Sequence, residues 1–125
     1  MANPITEKEK CDNLFVYGTL QHGQSRNYIL RGLKYEKAFL RKHKKVTPPS
    51  LGFPFIIRDE SSNVEGEIYY GVGIALIKQL DLIEGEGELY HRIIVEVELE
   101  SNEQVEAFTY YPSEILIKKF LRKPR

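Results

Sequence analysis

The chain has one cysteine, one methionine and no tryptophan among 125 residues. Cys11 therefore has no partner for an internal disulfide. Neither it nor the 3 scattered histidines form a cluster with metal-ligand spacing. No apolar run is long enough to span a bilayer, and the first residues lack the apolar stretch of a signal peptide. Excess charge of one sign is also missing: Lys+Arg and Asp+Glu both number 18, so nothing global draws the chain to nucleic acid or a membrane surface. Internal repeats and low-complexity linkers are absent. These absences predict a cytoplasmic protein without a cysteine- or histidine-based metal site. The length of 125 residues suits one domain, expected over residues 13–125, and the polar, aperiodic residues 1–12 are expected to form a flexible segment before it.

Hydrophobic residues make up 42% of the chain, enough for a packed core. Residues 14–17 read as a first strand and residues 25–31 as a short helix that stops at Gly32. A polar strand is expected over 37–46. An apolar stretch follows at 53–57, then a turn at 59–63. Residues 64–70 alternate and read as a strand.

Residues 74–84 carry the clearest helical period, with Leu76, Leu80 and Ile83 in one stripe and Ile77 at its edge. From Tyr90 to Leu99 the alternation is again that of a strand, and residues 104–110 return as its hairpin partner across Ser101-Asn102. A last helix is expected over 115–121, with Ser113 as N-cap. Mostly strands with a few helices predict an α+β fold around a curved, largely antiparallel sheet.

Two places combine chemistry with awkward local structure. The first is Tyr17-Gly18-Thr19-Leu20, where an apolar strand ends abruptly. Gly18 offers backbone angles closed to other residues, so N–H groups could converge on a carboxylate, an amide oxygen or an oxyanion. The competing reading is a strand end with a structural glycine.

The second is Glu84, which projects toward the apolar side of its helix just before a stop at Gly85. It lies at the negative end of the helix dipole and faces partial desolvation, and both raise a carboxyl pKa. Glu86 and Glu88 could add like-charge pressure. An ordinary glutamate, near ~4.3, is a poor base at neutral pH, and raising it brings it closer to a proton shuttle. The competing reading is a last-turn residue that bends out to solvent.

In order along the chain, Tyr17-Gly18-Thr19-Leu20, Gly52-Phe53-Pro54, Val64-Glu65-Gly66-Glu67-Ile68-Tyr69, Leu80-Asp81-Leu82-Ile83-Glu84-Gly85 and Tyr90-His91-Arg92 resemble the gamma-glutamylcyclotransferase-like family. The likeness is to its small gamma-glutamylamine and butirosin-pathway types. The resemblance implies a small, mostly antiparallel β-barrel with flanking helices and an internal cavity. It also implies cofactor-independent release of 5-oxoproline, formally an acyl-transfer or amine-lyase reaction. It places Glu84 as acid/base and Tyr17, Gly18, Thr19 and Leu20 around the glutamyl group.

Tyr90 and Tyr110 are further candidates for the pocket wall. Arg92 reads as a structural cation, and His22 and Cys11 as bystanders. The expected partner is a small gamma-glutamyl molecule. A non-catalytic binder of small carboxylates or amides on the same fold is the alternative. The basic run at residues 41–45 raises a third reading, RNA binding, but no aromatic motif accompanies it.

Overall fold

Short apolar alternations separated by turn residues make strands, and among the described residues five of them close into a barrel in the order β1-β3-β2-β4-β5. The computed structural model describes residues 11–48, 54–84 and 89–121, apart from the side chains of Phe120 and Leu121. The strands are β1 (Leu14–Val16), β2 (Tyr35–Val46), β3 (Phe55–Tyr69), β4 (Tyr90–Leu99) and β5 (Gln104–Pro112). Helix α1 (Ile74–Glu84) crosses between β3 and β4, and α2 (Glu114–Leu121) follows β5. A single 3-10 turn occupies Asn27–Leu30, where a short helix is expected, and Gly32 follows it with φ of 86°. The α+β barrel expected from the sequence is present. Of the polar N-terminal segment, residues 1–10 lie outside the described residues, while Asp12 is tied in by Val72 N–H donating to its carbonyl at 2.7 Å.

All neighbouring strands pair antiparallel except β1 and β5, whose parallel contact closes the ring. That seam is short and has side-chain support. Phe108 N–H donates to Asn13 O at 2.9 Å, and the buried Thr109 hydroxyl donates to Phe15 O at 3.0 Å. Because successive strand residues point to opposite faces, the barrel builds two cores. One joins Phe15, Tyr17, Ala38, Leu40, Ile56, Val64, Ile68, Val97, Leu99 and Ala107. The other joins Leu14, Val16, Tyr69, Tyr90, Phe108 and Tyr110 to Ile77 and Leu80 of α1 and Leu116 of α2.

Two local expectations change. The turn expected at residues 59–63 does not reverse the chain, because β3 runs through it. Pairing passes from Arg41↔Asn63 to His43↔Arg58, so Lys42, at φ 62°, sits opposite an excursion on the other strand. The turn chemistry is present: Asp59 Oδ1 accepts from both the Ser61 amide and the Ser61 hydroxyl at 3.0 Å. Long pairing with β2 on both sides absorbs it as a bulge.

The stripe of α1 is also rotated. Ile77 and Leu80 are the buried residues, whereas Ile83 is 41% exposed. This centring puts Asp81 and Glu84 on the inner face at helical spacing. Ser113 caps α2 as expected, its hydroxyl accepting from Leu116 N–H at 3.2 Å. No helix among the described residues is long and apolar enough to cross a membrane.

Candidate active site

Where β1 ends, the chain turns over the barrel mouth beside a cavity of about 350 Å³. The turn is held by its carbonyls. Gly18 O accepts from Gln21 N–H at 3.0 Å, Thr19 O from Arg26 N–H at 2.9 Å, and Leu20 O from Asn27 Nδ2 at 2.8 Å. Among the described residues, none accepts from the N–H of Thr19 or Leu20. Asn27 ties the loop to the barrel, because its amide also donates to the Tyr69 hydroxyl at 2.7 Å. Tyr69 in turn donates to Glu67 Oε1 at 3.2 Å, and that oxygen accepts His22 N–H at 2.7 Å.

Gly18 does not take a positive φ, so the expectation that it supplies a conformation closed to other residues is not met. Its lack of a side chain serves proximity instead: a Cβ there would come within 3.2 Å of Pro54 Cγ at the cavity wall.

Tyr17, Gly18, Thr19, Leu20, Glu84, Tyr90 and Tyr110 all line this one cavity. Distant pieces of chain meet because β1, β4 and β5 are neighbours in the barrel while α1 packs across them. Glu84, the last residue of α1, is the only carboxylate on the wall among the described residues. Burial raises its pKa above the ordinary 4.5, and the charge of Arg26 pulls it partly back. The like-charge contribution expected of Glu86 and Glu88, and the helix stop at Gly85, lie outside the described residues.

The three tyrosines each point a hydroxyl proton at the protein. Tyr17 donates to Tyr110 O at 2.5 Å, Tyr90 to Pro54 O at 2.9 Å, and Tyr110 to Asp81 Oδ1 at 2.7 Å. Burial raises all three phenol pKa values, and the negative charge of Glu84 adds to it. They stay neutral near neutral pH, and all three residues line the cavity. Glu84 is thus the wall residue suited to moving protons.

Asp81 and Arg26 are the residues that sequence reasoning missed. Asp81 binds the Tyr110 hydroxyl and pairs with Arg92 Nε at 3.2 Å, the two side chains being 20% and 13% exposed. Its signal was its position three residues before Glu84, visible once the stripe is centred on Ile77. Arg92 also lies over the Phe108 ring, 4.6 Å from its centroid, a structural role of the expected kind. Arg26, on an otherwise undistinguished loop, had no signal.

His22 is not on this wall. It lines a second pocket and stacks on Tyr35, with centroids 5.2 Å apart. Cys11 is half-buried with its thiol near the Asn13 and Glu106 carbonyls, and burial raises its pKa. The basic run is an outer stretch of β2. Arg41 pairs with Glu98 at 2.6 Å and Lys42 with Glu60 at 3.9 Å, while Lys45 Nζ donates to Tyr17 O at 3.3 Å. No group of three or more His, Cys, Asp or Glu suited to a metal occurs among the described residues.

Comparison with known proteins supplies the context. Residues 14–122 match the profile of a family described as gamma-glutamyl cyclotransferase, AIG2-like. Protein AIG2 C of Arabidopsis thaliana is 32% identical over 100 residues, 78% of this chain but 59% of that protein's length. A Methanocaldococcus jannaschii protein provisionally named as a gamma-glutamylcyclotransferase is 29% identical over 100 residues, 78% of this chain and 82% of the other. Among solved structures, an AIG2-like protein of mouse superposes with a TM-score of 0.76 at 22% identity, covering 90% of this chain and 84% of that one, a likeness of fold.

Proposed function

The chain belongs to the gamma-glutamyl cyclotransferase, AIG2-like family, and from that premise we propose that it cleaves a gamma-glutamyl amine or peptide into 5-oxoproline and a free amine. The observation that carries this reading is the placement of Glu84, as the one carboxylate among the described wall residues, in the same cavity as the turn at residues 17–20.

A gamma-glutamyl amide contains its own nucleophile. The α-amine adds to the side-chain carbonyl carbon and closes a five-membered ring, and the old C–N bond then breaks. No water is consumed and no electrons leave, so the step asks for no cofactor. Catalysis reduces to holding a folded conformer and moving one proton. Confinement alone contributes strongly, since well-oriented intramolecular reactions reach effective molarities of about 10⁵ M or more. The Glu84 carboxylate takes the proton that the attacking nitrogen sheds, then passes it to the departing nitrogen, which leaves as an amine. The Thr19 and Leu20 N–H groups hold the glutamyl carboxylate or the developing oxyanion. Tyr17, Tyr90 and Tyr110 enclose the glutamyl chain.

Glu84→Gln keeps the shape and removes the shuttle. Release of 5-oxoproline from a panel of gamma-glutamyl compounds is expected to fall by about 10² to 10⁴, with circular dichroism unchanged. Near-normal release by this variant would exclude Glu84 as the acid/base. A wild-type protein that is silent across the panel yet binds 5-oxoproline tightly would be a binder on the same fold.

A further inference from the structure

Charge on the wall is unevenly distributed. Its one carboxylate among the described residues, Glu84, is assigned to proton transfer. Arg26, the one cation among the described wall residues, has no task in that chemistry. Arg26 is exposed at the cavity and sits immediately before the 3-10 turn. Its backbone is fixed, because its N–H donates to Thr19 O at 2.9 Å, within the turn that faces the cavity. Among the described residues no carboxylate comes within 4.0 Å of its guanidinium. Lys45, whose Nζ reaches Tyr17 O at 3.3 Å, adds a second cation at the same end of β1. Arg26 is part of the cavity lining, and its charge lowers the pKa values of both Glu84 and Tyr90.

We infer that Arg26 selects the leaving group, so that the cavity favours gamma-glutamyl compounds whose amine portion carries its own carboxylate, such as gamma-glutamyl amino acids or short peptides. This rests on the reaction proposed above. The glutamyl half is assigned above to the buried Tyr17, Leu20, Tyr90 and Tyr110 and the half-buried Thr19, whereas Arg26 is exposed. With the glutamyl half held there, what lies beyond the scissile bond extends toward the exposed part of the wall, to which Arg26 belongs. A guanidinium there makes charge-assisted hydrogen bonds to a carboxylate and repels an ammonium. By their charge alone, the acidic residues of the sequence stretch Glu84–Glu88 could attract a cationic amine. Among the described residues, however, the rim charge has the opposite sign.

The test compares gamma-glutamylglycine, its glycinamide analogue and a gamma-glutamyl diamine, which share a glutamyl half and differ in leaving-group charge. Two readouts are taken: kcat/KM for 5-oxoproline release, and calorimetric affinity measured in the Glu84→Gln background. The acid is expected to exceed the amide by about ten-fold, the size of one hydrogen bond to a charged group, with the diamine weakest. Arg26→Gln should bring the acid-to-amide ratio near one, and Arg26→Lys should restore part of it. Any effect of Arg26 on the acidity of Glu84 falls on all three substrates alike and cancels in the ratio.

Equal rates for acid and amide, or an Arg26→Gln loss shared equally by both, would overturn the inference and leave the reaction standing. Carboxylate-selective, Arg26-dependent binding without any 5-oxoproline would leave the selectivity standing and overturn the reaction. No binding and no turnover of any compound would overturn both.

Discussion

A half-buried carboxyl group on a cavity wall shared with three tyrosines is a poor choice for stability, and Glu84 shows the consequence of that desolvation in its raised pKa. A folded-state pKa above the unfolded value means the folded protein binds more protons between the two. Stability contributed by the protonated group is complete below the ordinary 4.5 and is lost as pH rises through the folded value. Glu84→Gln removes that loss. The variant should therefore melt higher than wild type at pH 7, and the gap should close below the ordinary carboxylate range. Equal melting temperatures across the whole range would mean that Glu84 is solvated as well as in the unfolded chain. Activity should follow the same group, with the acidic limb of kcat/KM lying above the usual carboxylate range. Arg26→Gln should move that limb to higher pH, since its cation holds the Glu84 pKa down.

Among the elements, β1 is only three residues long, yet it carries the turn and belongs to both cores. Its seat depends on Gly66 in β3. A Cβ at Gly66 would lie 2.3 Å from the Val16 carbonyl oxygen and 2.8 Å from the Phe15 ring. The oxygen belongs to the backbone and cannot swing away, so β1 itself would have to shift. Gly66→Ala should therefore cost about 3 kcal/mol or more, at or beyond the upper end for overpacking. A lower urea midpoint at unchanged slope would show it, and a midpoint within error of wild type would refute this seating. Helix α1 illustrates how far sequence reading reaches. Its existence and span were legible in the apolar spacing. Its rotation was not, because Ile77 and Ile83 are equally apolar and only the barrel wall decides which is covered. That rotation brings Asp81 inward, where Tyr110 and Arg92 satisfy it.

On the scale of the whole molecule, the site is held by connections between loop and barrel rather than by any element alone. Asn27 is the chief link, bonding Leu20 O on one side and the Tyr69 hydroxyl on the other. Asn27→Ala should lower global stability by only about 1–2 kcal/mol, the range for lost hydrogen bonds at a half-buried site. It should lower kcat/KM more than that loss of stability accounts for, because the turn can then drift while the barrel persists. If activity is unchanged at a temperature where the variant is fully folded, the turn keeps its place without this link.

What the amino-acid sequence determined by itself was local: the strand alternations, the span of α1, the Ser113 cap, and an acidic residue facing the apolar side of a helix. Each depends on neighbours a few positions apart, and side-chain periodicity reports those directly. The tertiary structure alone decided that Glu84 shares a cavity with residues 17–20, that the Asp59 turn becomes a bulge, and that Arg26 stands at the cavity. Those outcomes depend on which strands lie side by side once the barrel closes. Pairing of β1 with β3 and β5 is set by the packing of both cores together, and no stretch of local sequence encodes it.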